Sequence, residues 1–344
     1  MKKRNVIFGV LVVSCIALRA GAVPVAGTPE ETTSRLQRAI DRASEQGNYQ
    51  HVQSLRLELA EHYAGTGAYA LAARQYELLL ASRPSRRERV AFFIELGKMR
   101  DADHNYGGAI QSFEDALHDE ARSWEARLLL ARAYDQAELN TKAIEVYKRC
   151  IELKPAAWEP YEGIAHVYQQ LGFLNKAVLN YQKSITLEKR PETYLALADA
   201  YVRQGNINAA KDILQQAKAV LPRADYDVRL GEIYSHHGDL RKACEAWEEA
   251  LKADAHRDDV RLQLALAYDR LGRPSDSDRM FKRLITAYPL SPVVHFSRAW
   301  VLYARGDRDG ARHEALAVQQ LGPTAIVGHF NEELLTQMGK GKAG

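Results

Sequence analysis

The sequence predicts an all-α fold built as a solenoid of helical hairpins. Three observations carry this: an apolar pattern that recurs every 33 or 34 residues, a small residue at one fixed place in every copy, and no convincing strand alternation. Eight copies begin at Gln53, Val90, Trp124, Trp158, Pro191, Ala224, Asp258 and Pro292, and the last runs to Ala325. Three extra residues near Pro84 to Arg87 break the period once.

Ahead of the array, Thr32, Thr33 and Ser34 are candidate N-caps for a helix whose Leu36, Ile40 and Ala43 form an apolar stripe before Gly47. This helix is expected to cover the first hairpin. Within each copy, counting its first residue as offset 1, the first helix (helix A) carries Leu59, Leu96, Leu130, Ile164, Leu197, Leu230 and Leu264 at offset 7. Offset 8 is Ala or Gly in all eight copies, from Ala60 and Gly97 to Ala299, and offset 11 is tyrosine in six, among them Tyr134 and Tyr268. Offset 15 is glycine in six, from Gly67 to Gly306, where a left-handed residue ends helix A without a Cβ clash. Helix B then carries alanine at offset 20 in seven copies, with Ser277 the exception, and an aromatic residue at offset 24 in six. Pro84, Pro155, Pro222, Pro289 and Pro323 close five of the hairpins. Offsets 7 and 11, like 20 and 24, are four apart and so share a helix face. The small residues let two backbones approach, and the large ones fill the space beside them.

The Leu-small-x-x-Tyr turn of helix A, the Ala-x-x-x-aromatic turn of helix B and the closing proline resemble the tetratricopeptide repeat (TPR) family over about four fifths of the chain. The resemblance implies a right-handed α-solenoid of about eight hairpins with terminal capping helices. The expected organisation is an export signal over 1–22 (or 1–14 for a lipoprotein), a tether and capping helix over 23–52, the array over 53–325, and a capping helix with tail over 326–344. In that last part Asn331 to Met338 reads as a short solvating helix and Gly339 to Gly344 as a frayed tail. A solenoid grows by adding units, so 344 residues need no separate domain.

Met1 to Asn5 is cationic, Val6 to Leu18 is an apolar run, and Ala20-Gly21-Ala22 offers small residues for cleavage before Val23. Val12-Val13-Ser14-Cys15 competes with that cut because it resembles the bacterial lipobox, with Cys15 lipidated; an uncleaved anchor is the third alternative. Each places the repeats outside the cytoplasm, in the periplasm or attached to the membrane facing it. Val23 to Glu31, with Pro24, Gly27 and Pro29, reads as an extended tether. The formal net charge is +3, yet Lys2, Lys3, Arg4 and Arg19 all precede the first acidic residue, Glu30. The remainder has no excess positive charge, so nucleic acid is not an expected partner.

No catalytic, cofactor or metal site is expected. Cys150 and Cys244 lie three repeats apart, too far for a disulfide, and read as buried thiols. His236 and His237 are helix neighbours that face different ways, and His313-Glu314 lacks a second histidine for a zinc motif. The family places ligand contacts at offsets 2, 5, 9 and 12 of helix A, which line a concave groove. Offset 9 puts Lys98 and Arg132 in adjacent repeats, where they are expected to present two cations to one stretch of ligand. Glu159, Glu162 and His166 continue a polar middle, and Phe296, Trp300 and Tyr303 form an aromatic stripe near the C-terminus. That stripe either anchors a partner or is covered by the C-terminal segment. Because the Lys and Asn clamp of chaperone-binding members is missing, a chaperone adaptor is disfavoured. The expectation is a non-enzymatic scaffold of the bacterial cell envelope that binds a protein or peptide in its groove; its rival is a ligand-binding accessory of an envelope transporter, which would need a closed apolar pocket.

Overall fold

The computed structural model describes residues 28–340, and the signal, tether and lipidation expectations for Met1 to Gly27 lie outside them. Among the described residues there are eighteen helices and no strand. They are α1 (Pro29–Glu45), α2 (Tyr49–Gly65), α3 (Tyr69–Ala81), α4 (Arg86–Ala102), α5 (Tyr106–Asp119), α6 (Trp124–Gln136), α7 (Asn140–Leu153), α8 (Glu159–Gln170), α9 (Leu174–Leu187) and α10 (Pro191–Arg203). After these come α11 (Ile207–Ala217), α12 (Arg223–His236), α13 (Leu240–Ala253), α14 (Asp258–Arg270), α15 (Pro274–Ala287), α16 (Pro292–Arg305), α17 (Arg308–Gln320) and α18 (Ala325–Lys340). Even-numbered helices from α2 to α16 are the A helices and odd-numbered ones from α3 to α17 the B helices. The described chain forms two compact units, one up to Gln204 and one from Gly205 onward.

The offset pattern becomes the core of each hairpin. The seven alanines at offset 20 are all fully buried, and so is Ser277 in their place. At offset 24, Phe113, Trp247 and Phe281 are at most 1 % exposed, and Tyr147 and Tyr181 are 2 % exposed. These rings lie across the small residue at offset 8: a Cβ added to Gly97 would meet the Phe113 ring, and one on Gly231 would meet Trp247. The offset-11 tyrosine ties one hairpin to the last. Tyr134 donates to Glu114 at 2.7 Å and Tyr268 to Glu248 at 2.6 Å, and the Tyr201 hydroxyl accepts from Gln182 at 2.9 Å; each partner sits at offset 25 of the preceding repeat. Contacts run mainly between sequence neighbours, so stability is shared locally along each stack.

The turn between helices A and B has its own two-residue code. Six repeats place glycine at offset 15 with positive φ, and the two that lack it force His104 (φ 60°) and Glu138 (φ 58°) into the same left-handed conformation. Offset 16 then caps helix B: Asn105, Asn206, Asp239 and Asp307 each accept a backbone N–H. Leu139 and Phe173 occupy that offset without a side-chain cap and stay exposed. The three extra residues near Pro84 lengthen helix A of the second repeat: α4 has 17 residues where α6 has 13. Its added turn carries Arg89, which grips Asp119 at the end of α5 through two bonds of 2.5 and 2.6 Å.

Both ends differ from the sequence expectation. The N-cap of α1 is Thr28, in a reciprocal capping box with Glu31, and not Thr32, Thr33 or Ser34. Pro29 begins the helix, where its missing N–H leaves no lost bond, so Pro29 to Glu31 are helical and not tether. At the other end α18 starts at Ala325 and runs through Gly339 to Lys340. It is a packing helix and not a solvating one: Val327, Asn331, Leu334 and Met338 are buried, and Asn331 donates to the Ala315 carbonyl at 2.8 Å.

Candidate inner-face binding site

Within the units, successive A helices touch one another, α4 with α6, α6 with α8 and α14 with α16, and the last A helix, α16, touches the capping helix α18. No pair of successive B helices makes an equivalent contact among the described residues, so the A side is the inner side of each stack. Offsets 2, 5, 9 and 12 lie on this side.

In the N-terminal unit the inner face is a ladder of polar side chains joined across repeats. Its rungs run from offset 12 of one helix A to offset 9 of the next. His166 Nδ1 lies 2.9 Å from Asp135 Oδ2, and Gln169 Nε2 donates to Asp199 at 2.6 Å. Asp101 and Arg132 occupy the same two offsets one repeat earlier, without a hydrogen bond between them. Glu162 is held by Arg190, the N-cap residue of α10, and by the buried Thr193 hydroxyl of that helix, each at 3.0 Å. Glu159, in the first turn of α8, is half-buried and makes no ion pair among the described residues.

Lys98 does not present a free cation, contrary to expectation. Its ammonium bridges Glu95 at 2.8 Å and Glu125 at 3.0 Å. Burial works against its charge, but the hydrogen bonds to these two carboxylates hold its pKa above the usual lysine value. Arg132 is exposed and makes no ion pair among the described residues, so of the two expected cations only Arg132 stands clear. The Asp135 carboxylate raises the pKa of His166, burial opposes this, and Glu162 adds to the rise. Asp101, with no charged partner in hydrogen-bond reach, is pushed above the usual carboxylate range by burial.

The aromatic stripe of the C-terminal unit is divided. Phe296 is 2 % exposed and sits in one cluster with Val327, Leu334 and Met338 of α18, so it is unavailable as a partner anchor. Trp300 and Tyr303 are half-buried at the edge of that cluster, with ring centroids 6.4 Å apart. The sequence reading missed His295, which reaches Glu314 at 2.6 Å while Glu314 also pairs with Arg298. It also missed a cavity of about 310 Å³ at the turns of the same unit, lined by Asn206, Asn208, Lys211, Tyr234, His237 and Lys242. That lining is polar, unlike the closed apolar pocket a small-molecule carrier would need.

Cys150 and Cys244 are free and buried, and burial pushes both thiols up to about 11, which leaves them protonated and unreactive at neutral pH. Among the described residues no group of three His, Cys, Asp or Glu side chains is placed to hold a metal ion, and no helix is long and apolar enough to cross a membrane.

The tetratricopeptide repeat family model matches residues 95–157, 195–259 and 262–326, together more than half of the chain. The chain belongs to the tetratricopeptide repeat family. Among solved structures, a TPR protein from Parabacteroides merdae aligns with a TM-score of 0.55 at 14 % identity, covering 73 % of this chain and 99 % of the other. PilW, a type IV pilus biogenesis factor, aligns with a TM-score of 0.50 at 19 % identity, over 60 % of this chain and 96 % of its own. At such identities the likeness speaks for the fold alone. No curated protein matches the sequence. As a TPR protein, the chain is a protein-interaction scaffold.

Proposed function

We propose that this TPR protein is a non-enzymatic scaffold of the bacterial cell envelope that holds a protein or peptide partner along the inner face of its A helices. The observation that carries this reading is the polar ladder itself. The offset 9 side chains Glu61, Arg132, His166 and Asp199 remain exposed in a chain whose neighbouring offsets 7 and 8 are closed into the core. A stack of rigid hairpins offers such a row as a largely preformed surface, which suits an extended segment or a helix. The cationic start, apolar run and small residues of Met1 to Ala22 support export to the periplasm, either free or attached to the membrane through the N-terminus.

Two measurements test it. Affinity purification of the tagged full chain from membranes is expected to recover a protein that is lost when Asp101 and Glu159 are both replaced by their amides, with helicity unchanged. Recovery of the same protein by the double variant would move the binding surface to the B-helix side. N-terminal sequencing is expected to start at Val23 or to find Cys15 blocked by lipid; an intact Met1 on a soluble cytoplasmic protein would overturn the envelope placement.

A further inference from the structure

The inner face of the N-terminal unit carries an excess of negative charge that the chain as a whole does not. The formal total is +3, yet at offsets 2, 5, 9 and 12 the five A helices of the N-terminal unit, α2 to α10, carry eight carboxylates and only two basic side chains, Lys98 and Arg132. Glu125, Glu159 and Glu192 fill offset 2, Glu162 stands at offset 5, Glu61 and Asp199 at offset 9, and Asp101 and Asp135 at offset 12. Some are satisfied within the protein, as Glu125 is by Lys98 and Glu192 by Arg190 at 3.2 Å. Glu61, Asp101 and Glu159 make no ion pair among the described residues. The inner-face acids of the C-terminal unit differ, because each has an arginine: Asp225 and Asp259 share Arg257, Glu232 has Arg229 and Asp269 has Arg305.

A second observation points to what the N-terminal face lacks. Asp135 is only 7 % exposed, and its Oδ1 is buried with no hydrogen-bond partner, although its other oxygen meets His166. Asp101 Oδ1 and Gln169 Oε1 are buried orphans of the same kind. The three sit at offset 12 of three consecutive A helices, α4, α6 and α8, so acceptors without donors recur once per repeat along one line of the surface. A buried acceptor left without a donor is costly, and a carboxylate more so. What the line is short of is hydrogen-bond donors and positive charge.

We propose that the inner face of α4, α6, α8 and α10 binds an extended segment of another protein rich in lysine and arginine, whose donors engage Asp101, Asp135 and Glu159. This rests on the inner-face reading above and specifies its occupant. Charge complementarity steers such a segment to the face, and bonds to the offset 12 carboxylates fix its register. Arg132, the exposed cation in the row, then works against the occupant.

The test uses the purified full chain and two fluorescein-labelled peptides, one of alternating lysine and serine and one of alternating glutamate and serine, read by anisotropy. The lysine peptide is expected to bind, more weakly as salt rises, while the glutamate peptide does not. Glu159→Gln combined with Asp101→Asn is expected to weaken binding about tenfold, and Arg132→Glu to strengthen it. Glu152→Gln with Glu188→Gln, on exposed positions off the inner face, is expected to change nothing. Equal loss in that control pair would mean indiscriminate polycation attraction and overturn the proposal, as would failure of the lysine peptide to bind. Binding of the glutamate peptide, abolished by Arg132→Glu, would overturn the basic occupant and leave the inner face as the binding surface. Recovery of the natural partner unchanged by all the inner-face variants would instead overturn the inner-face reading itself.

Discussion

A Cβ placed on Gly231 would lie 2.4 Å from Nε1 of Trp247, a ring that is fully buried and donates to the Val228 carbonyl at 3.3 Å. The glycine therefore exists for the ring. Gly231→Ala gains helix propensity but drives a methyl into an indole that cannot retreat, and the clash outweighs the gain. The expected cost is about 1 to 3 kcal/mol in urea unfolding. Gly107→Ala, facing open space on α5, is the control and is expected to leave stability the same or raise it. A stable Gly231→Ala protein would show that the aromatic contact at offset 8 is not tight.

Glu138 holds a left-handed conformation that every glycine-bearing turn adopts without strain. Next to it Leu139 stands where Asn105, Asn206, Asp239 and Asp307 cap their helices. Glu138→Gly and Leu139→Asn are each expected to stabilise the third hairpin by about 1 kcal/mol. Thermal unfolding of the single and double variants checks this, and a lower Tm for Leu139→Asn would mean that its exposed side chain is held by contacts worth more than a cap.

The hairpin was legible because its determinants lie within one repeat. Offset 8 is small in all eight copies, offset 20 is alanine in seven and offset 24 is aromatic in six, which is why Ala177 or Phe113 could be assigned to the core from spacing alone. In the turns Gly205-Asn206, Gly238-Asp239 and Gly306-Asp307 the glycine stood out by its spacing, whereas the capping residue after it lies outside the apolar period and is Asn or Asp in only half of the copies. The inner face was less legible because its rungs connect different repeats. Lys98 looks like a free cation until Glu125, 27 residues away, is brought beside it. Likewise Phe296 looks like an exposed anchor until α18 folds over it, since a helix stripe does not say what covers it.

Leu334 is 1 % exposed in the cluster that joins α18 to Phe296 and Ala299. Leu334→Ala is expected to cost about 2 to 5 kcal/mol locally, to expose Asn331 to Met338 to protease, and to leave hydrogen exchange in the N-terminal unit unchanged. Trp300→Ala, at the cluster edge, should act in the same direction and more weakly. Uniform loss of protection along the whole chain would contradict the nearest-neighbour sharing of stability.

The Asp135 and His166 pair gives a pH dependence whose sign follows from the raised histidine pKa. The charged pair stabilises the fold fully below the unfolded histidine value of about 6.5, and that contribution is lost as pH rises through the higher folded value. Thermal melts across this window are expected to show a decline that His166→Gln flattens. NMR titration of the ring should place its midpoint above the ordinary histidine value; a midpoint below it, or an unaltered slope in the variant, would remove the pair from the explanation.

Asp101 brings stability and binding into opposition. Its carboxylate has a buried oxygen with no donor, and burial pushes its pKa up. An acid whose folded value is raised destabilises the fold once pH exceeds its unfolded value, so at neutral pH its charge is a cost. Asp101→Asn removes that charge at nearly constant shape and is expected to raise Tm at pH 7 while leaving Tm unchanged below pH 3, where the wild-type acid is already protonated. The same substitution is expected to weaken binding of the lysine peptide, because the offset 12 line loses a charge that a donor from outside would satisfy. A variant that gained stability and kept full affinity would make Asp101 a structural accident, and one that lost both would make it a structural support.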